Sequence, residues 1–148
     1  MKHPLVVLFA VLDGQVWSWD QLVSWADRQF MKSEAYEDWL VDLSRSKSLG
    51  AGLEVIRGAM KKSGIRLPDD IGDLMTGFIS MRLDRGDISE REARSRLIEV
   101  ADAYDVTGVD AQSARTVALD APEFQQMKAD AERSLKSLIE GAVRFGKT

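Results

Sequence analysis

Cysteine is absent from the 148 residues, and histidine occurs once, as His3 beside the N-terminus. The first absence excludes a disulfide scaffold, a zinc–thiolate site, an iron–sulfur cluster and a thiol nucleophile. The second leaves no imidazole for a Ser/His/Asp arrangement or a His-based metal site. Proline and glycine are sparse, 3 and 11 residues, and 45 % of the chain is hydrophobic, which excludes collagen-like, low-complexity and disordered classes. No glycine-rich phosphate loop follows a strand. No cofactor and no metal are therefore expected.

No apolar run reaches the roughly 20 residues that span a membrane. Pro4–Leu12 (PLVVLFAVL) follows Lys2 and His3 in the manner of a secretory leader, but it is nine residues long and lacks a small-x-small cleavage site. The expected compartment is cytoplasmic. The formal charge of −4 repels nucleic acid and anionic membranes and favours a basic protein partner.

What is present is helical periodicity, and the expected fold class is all-α: one compact domain, residues 1–148, of seven to eight helices. Pro4 opens a first helix with Leu5, Leu8, Phe9 and Leu12 on one face and Gly14 as terminator, although the valines leave a short strand open. Ser18 and Gln21 form a capping box for a helix over about 19–31 that buries Leu22, Trp25, Ala26 and Phe30. Trp17 and Leu22 stand at hydrophobic-staple positions. A third helix, near Glu34–Ser44 and capped by Ser33, turns Ala35, Tyr36, Trp39, Leu40 and Leu43 inward. A fourth carries Leu49, Leu53, Ile56 and Met60 and stops at Gly64. Asp69 or Asp70 caps a fifth with Ile71, Leu74, Met75, Phe78 and Ile79 inside. Ser89 and Glu92 open a sixth that ends near Tyr104. Asp110 caps a seventh reaching Leu119. Pro122 opens the last, with a stripe of Phe124, Met127, Ala131, Leu135, Leu138 and Ala142.

Two acidic motifs invite an enzymatic reading. Asp69-Asp70-Ile71-Gly72-Asp73 matches the DDxxD pattern of helical isoprenoid synthases, but no second acidic motif follows suitably, and Asp before a helix is ordinary capping chemistry. Asp70-x-x-Asp73 and Glu99-x-x-Asp102 are spaced like the magnesium ligands of all-α nucleotide pyrophosphohydrolases. The shorter Asp side chains stand where that family has Glu, which makes such an enzyme an alternative reading only. Three turns, Gly14-Gln15-Val16, Gly86-Asp87-Ile88 and Gly108-Val109-Asp110, lack the full set of oxygen ligands that an EF-hand loop requires.

Charge placement says more than the total. Asp13–Asp42 carries seven acids against Arg28 and Lys32, and Arg45–Arg66 carries six bases against Glu54. Pairs four apart, Glu90–Arg94, Glu92–Arg96, Glu132–Lys136 and Glu140–Arg144, balance several helices. The third does not balance: Glu34, Asp38 and Asp42 repeat every four residues with Glu37 adjoining. Each like-charge neighbour costs roughly 0.2–0.5 kcal/mol. Three explanations remain open: a solvated face, neutralisation by Arg57, Lys61 and Lys62 on the next helix, or a cationic partner. All four tryptophans, Trp17, Trp19, Trp25 and Trp39, lie beside this acidic stretch. Trp25 and Trp39 fit core positions, whereas Trp17 and Trp19 flank the cap Ser18, so one of them is a candidate exposed anchor. Four bases, Arg57, Lys61, Lys62 and Arg66, could meet phosphates, but no aromatic is interleaved among them, and nucleic acid is not the expected ligand.

The segments VLDGQVWSWDQLVSWADRQF and WLVDLSRSKS resemble the opening of small all-helical bacterial immunity proteins, in which a Gly-x-Val/Ile-x-Trp turn leads into a helix containing Trp-Ala-Asp. The likeness covers about the first 48 residues. It implies an inhibitor of a cognate toxin that works by occlusion. Together these readings place the candidate partner-binding residues at Trp17, Trp19, Asp27, Glu34, Glu37, Asp38 and Asp42. The expected partner is a basic toxin or effector protein, and a helical regulator or counter-defence protein acting on a host complex is the alternative binder.

Overall fold

A computed structural model describes residues 2–32 and 37–141. Among them lie seven α-helices, one 3-10 turn and no β-strand. The helices are α1 (Pro4–Asp13), α2 (Trp19–Lys32), α3 (Asp38–Ser44), α4 (Leu49–Lys62), α5 (Ile71–Asp84), α6 (Glu90–Ala103) and α7 (Pro122–Glu140), with the 3-10 turn at Ser113–Arg115. The all-α bundle of about seven helices is as the periodicity predicts. Contacts gather the chain into two units, one built from the segment up to Arg66 together with that from Leu135 onward, the other from Leu67–Ser134.

In the first unit, α1 resolves the helix-or-strand question in favour of helix. Every residue from Leu5 to Leu12 is buried, more than the single face expected, as befits a helix that is apolar all round. His3 caps it: its Nδ1 accepts from the Leu5 amide at 3.1 Å. At the other end Gly14 keeps a right-handed φ of −79°, and the left-handed turn falls on Gln15 at φ 55°. The Val16 amide then closes back on the Val11 carbonyl at 2.8 Å.

The capping box before α2 forms reciprocally. The Ser18 amide donates to Gln21 Oε1 at 2.8 Å, and the Gln21 amide donates to Ser18 Oγ at 3.3 Å. Leu22, Trp25 and Ala26 are buried with Trp17, whereas Phe30 is only half-buried. Trp25 is anchored further by its indole N–H, which donates to the Leu138 carbonyl at 2.9 Å. Ser48 caps α4 by accepting from the Ala51 amide at 3.1 Å. Helix α4 packs on α1 and α3, and Gly52 admits side chains of α2 and α3: a Cβ there would lie 2.8 Å from Leu22 Cδ2 and 3.5 Å from Leu43 Cδ1.

In the second unit α5 is buried on nearly all sides from Ile71 to Met81 and packs on α6. Backbone approaches are tightest at Gly77, where a Cβ would meet the Met127 carbonyl oxygen at 2.1 Å, and at Gly72, where it would meet Asp105 O at 2.2 Å. Leu97, Val106, Val109, Ala114, Phe124 and Met127 form one core cluster here. Of the expected stripe of α7, Phe124, Met127 and Ala131 are buried here, and Leu135 and Leu138, also buried, belong to the first unit; Ala142 lies outside the described residues.

Two sequence expectations need correction in this unit. The helix expected from Asp110 to Leu119 is only the turn Ser113–Arg115. A segment that short is a poor isolated helix, and its carbonyls find another donor: Arg94 Nη1 donates to Ala114 O at 3.0 Å and to Val117 O at 2.5 Å. Arg94 is thereby committed to this segment, so the expected Glu90–Arg94 pair does not describe its main contacts. Ion pairs among the described residues include Lys128 to Asp84, Arg133 to Asp130 and Arg57 to Glu54.

Candidate functional site

Helix α3 presents the acidic face. Glu37 stands at its N-cap with extended backbone, φ −75° and ψ 151°, so it precedes the helix and does not extend the acidic repeat. Asp38 is the first helical residue, where the positive end of the helix dipole favours a carboxylate. Asp42 follows one turn later on the same side. Both are exposed, while Trp39, Leu40 and Leu43 are buried. The part of the expected helix that carries Ser33, Glu34, Ala35 and Tyr36 lies outside the described residues.

Against α3 runs α4, and between them opens a groove of about 460 Å³. Glu37, Asp38 and Asp42 line one side, and Glu54, Gly58 and Lys62 belong to the other; Trp39, Val55 and Ala59 supply apolar lining. Among the described residues, neutralisation of α3 by α4, one of the three open explanations, does not occur through contact. Arg57 turns to Glu54 on its own helix at 3.3 Å, and its guanidinium sits over the Phe9 ring, 5.6 Å from the centroid. Among the described residues, Asp38 and Asp42 have no ion-pair partner.

The tryptophan question resolves in favour of Trp19. Trp17 is 7 % exposed and packs against Trp25, ring centroids 6.0 Å apart, so it belongs to the core and offers no surface. Trp19 is 38 % exposed, and its indole N–H donates to the Ser46 carbonyl at 2.6 Å. That bond holds the ring against the α3–α4 connection while the residue stays more than a third exposed. Asp27 is exposed on α2. Neither Asp27 nor Trp19 lines the groove, so the structure brings together Glu37, Asp38 and Asp42 and sets the other two apart.

Sequence reasoning missed the α4 side of the groove. The available signal was Gly58. A glycine inside a helix costs roughly 0.5–1 kcal/mol relative to alanine. Gly52 has a packing reason for that cost, but a Cβ at Gly58 would meet nothing within 4 Å.

The carboxylates of the enzymatic alternative lie in the second unit. Asp73 gives both oxygens to Thr107: the amide donates to Oδ1 at 2.8 Å and the hydroxyl to Oδ2 at 2.6 Å. Asp70 takes the N-cap position without a side-chain capping bond. A hollow of about 340 Å³ beside the start of α5 is lined by Asp69, Asp102 and Asp105, and it includes none of Asp70, Asp73 and Glu99. Among the described residues no group of three or more His, Asp or Glu is placed to hold a metal ion. No helix among them is long and apolar enough to cross a membrane. Comparison of the chain with protein-family models, curated proteins and solved structures gives no match.

Proposed function

We propose that this chain is a non-enzymatic cytoplasmic inhibitor that binds and neutralises a cognate bacterial toxin or effector protein, a basic one, through the acidic face of α3. The observation that carries the reading is the state of Asp38 and Asp42: exposed, one turn apart, and without an ion-pair partner among the described residues although Arg57, Lys61 and Lys62 lie on the adjacent helix. Like charges held together on a surface raise the encounter rate with an oppositely charged partner. Trp19 supplies a second contact, a ring held at the surface by its bond to Ser46. The resemblance of the first 48 residues to immunity proteins supports the same reading. Occlusion by a charged surface needs neither thiol nor imidazole.

A pull-down of the product of the adjacent gene, with the purified chain as bait, tests this directly. A one-to-one complex that suppresses the activity of a basic effector is the expected result. Capture of a host assembly instead supports the counter-defence alternative. Magnesium-dependent nucleotide turnover that disappears in Asp73→Asn overturns the non-enzymatic reading.

A further inference from the structure

We propose that the groove between α3 and α4 seats one arginine or lysine side chain of a basic partner, laid across the bare backbone of Gly58; this rests on the reading that the acidic face is an interface. Gly58 is in the body of α4, exposed, and among the residues that line the groove. Nothing inside the described protein occupies that space, because a Cβ there has no neighbour within 4 Å. Helix propensity argues against glycine at such a place, and close approach by another molecule is the physical reason for it.

The lining identifies the occupant. Val55, Ala59 and Trp39 offer an apolar wall for a methylene stem, and Asp38 and Asp42 offer carboxylates for the charged head. Long cationic side chains divide themselves between apolar and charged surroundings in this way. Glu54 is already paired with Arg57, which leaves Glu37, Asp38 and Asp42 facing the single ammonium of Lys62 in the groove. The local charge excess is negative, so the seat suits a cation and rejects an acidic or purely apolar segment. The groove, about 460 Å³, has room for one extended side chain and the backbone that carries it.

The test titrates the full-length, 15N-labelled chain with a capped hexa-arginine peptide, using hexa-glutamate as control, and repeats the titration on variants. The proposal predicts amide shifts centred on Val55 and Gly58 with the arginine peptide alone. Gly58→Ala raises Tm by about 3 °C, since it relieves a helix-interior glycine, yet it weakens the peptide at least fivefold. Gly58→Met weakens it at least 20-fold. Gly50→Ala, on the same helix and outside the groove lining, leaves affinity unchanged. Peptide affinity within twofold of wild type in Gly58→Met, a fall in Tm for Gly58→Ala, or shifts confined to other residues overturns the seat. If Asp38→Asn with Asp42→Asn weakens the peptide while Gly58→Met does not, the seat fails and the acidic interface stands. If neither change matters, both fail.

Discussion

At the scale of single residues, His3 and Gln15 hold α1 at its two ends by opposite means. The His3 imidazole accepts the Leu5 amide, which only its unprotonated nitrogen can do, and burial lowers its pKa below the ordinary 6.5. Protonation removes the acceptor and sets a positive charge at the N-terminal end of the helix dipole. Because the folded pKa lies below the unfolded value, the stabilisation is complete above pH 6.5 and is lost as pH falls from there through the folded pKa. We expect Tm followed by circular dichroism to decline between pH 7 and 5 more steeply in the wild type than in His3→Asn, which keeps a cap that does not titrate. Gln15 occupies a left-handed conformation that favours glycine. Gln15→Gly is expected to raise stability by about 0.5–1 kcal/mol in urea unfolding; a loss would mean that the Gln15 side chain makes contacts outweighing its backbone strain.

Elements were legible from sequence where their signals are local. Ser18 and Ser89 each cap the helix that follows through the predicted hydroxyl contact, since a cap depends on residues two or three positions away. The apolar stripes of α4, α5 and α7 were readable for the same reason. The segment after Asp110 was not, because its conformation depends on Arg94, some 20 residues earlier in the chain. Position four apart from Glu90 suggested a helix-surface ion pair, and nothing local revealed that the guanidinium prefers two backbone carbonyls. Arg94→Met keeps the aliphatic stem and removes those bonds. The expected loss is about 2 kcal/mol, with faster hydrogen exchange confined to residues 110–121. Uniform acceleration across the chain would show that Arg94 supports more than this segment.

The same division holds for the candidate site. The acidic character of α3 was visible in the spacing of Asp38 and Asp42, but the groove needs α4 beside it, and only tertiary packing shows Gly58 and Val55 across from those carboxylates. The choice between Trp17 and Trp19 likewise depended on contacts with Trp25 and Ser46, which lie 8 and 27 positions away.

For the molecule as a whole, a net charge of −4 is modest, and its distribution matters more than its size. Several acidic groups are tied down internally, Asp73 by Thr107, Asp110 by Ser113 and Asp84 by Lys128. The amide of Ser113 donates to Asp110 and lowers its pKa, and the Asp84 carboxylate raises that of Lys128. Among the described residues Asp38 and Asp42 have no such tie, and that contrast is the basis of the functional account. The most direct measurement is the association rate of the chain with the basic effector proposed as its partner, in low salt, for the wild type and for Glu37→Lys/Asp38→Lys/Asp42→Lys. The account predicts that the triple variant keeps its helical circular dichroism and associates at least tenfold more slowly, with the difference shrinking as salt is added. Equal association rates for the two proteins in low salt would contradict it.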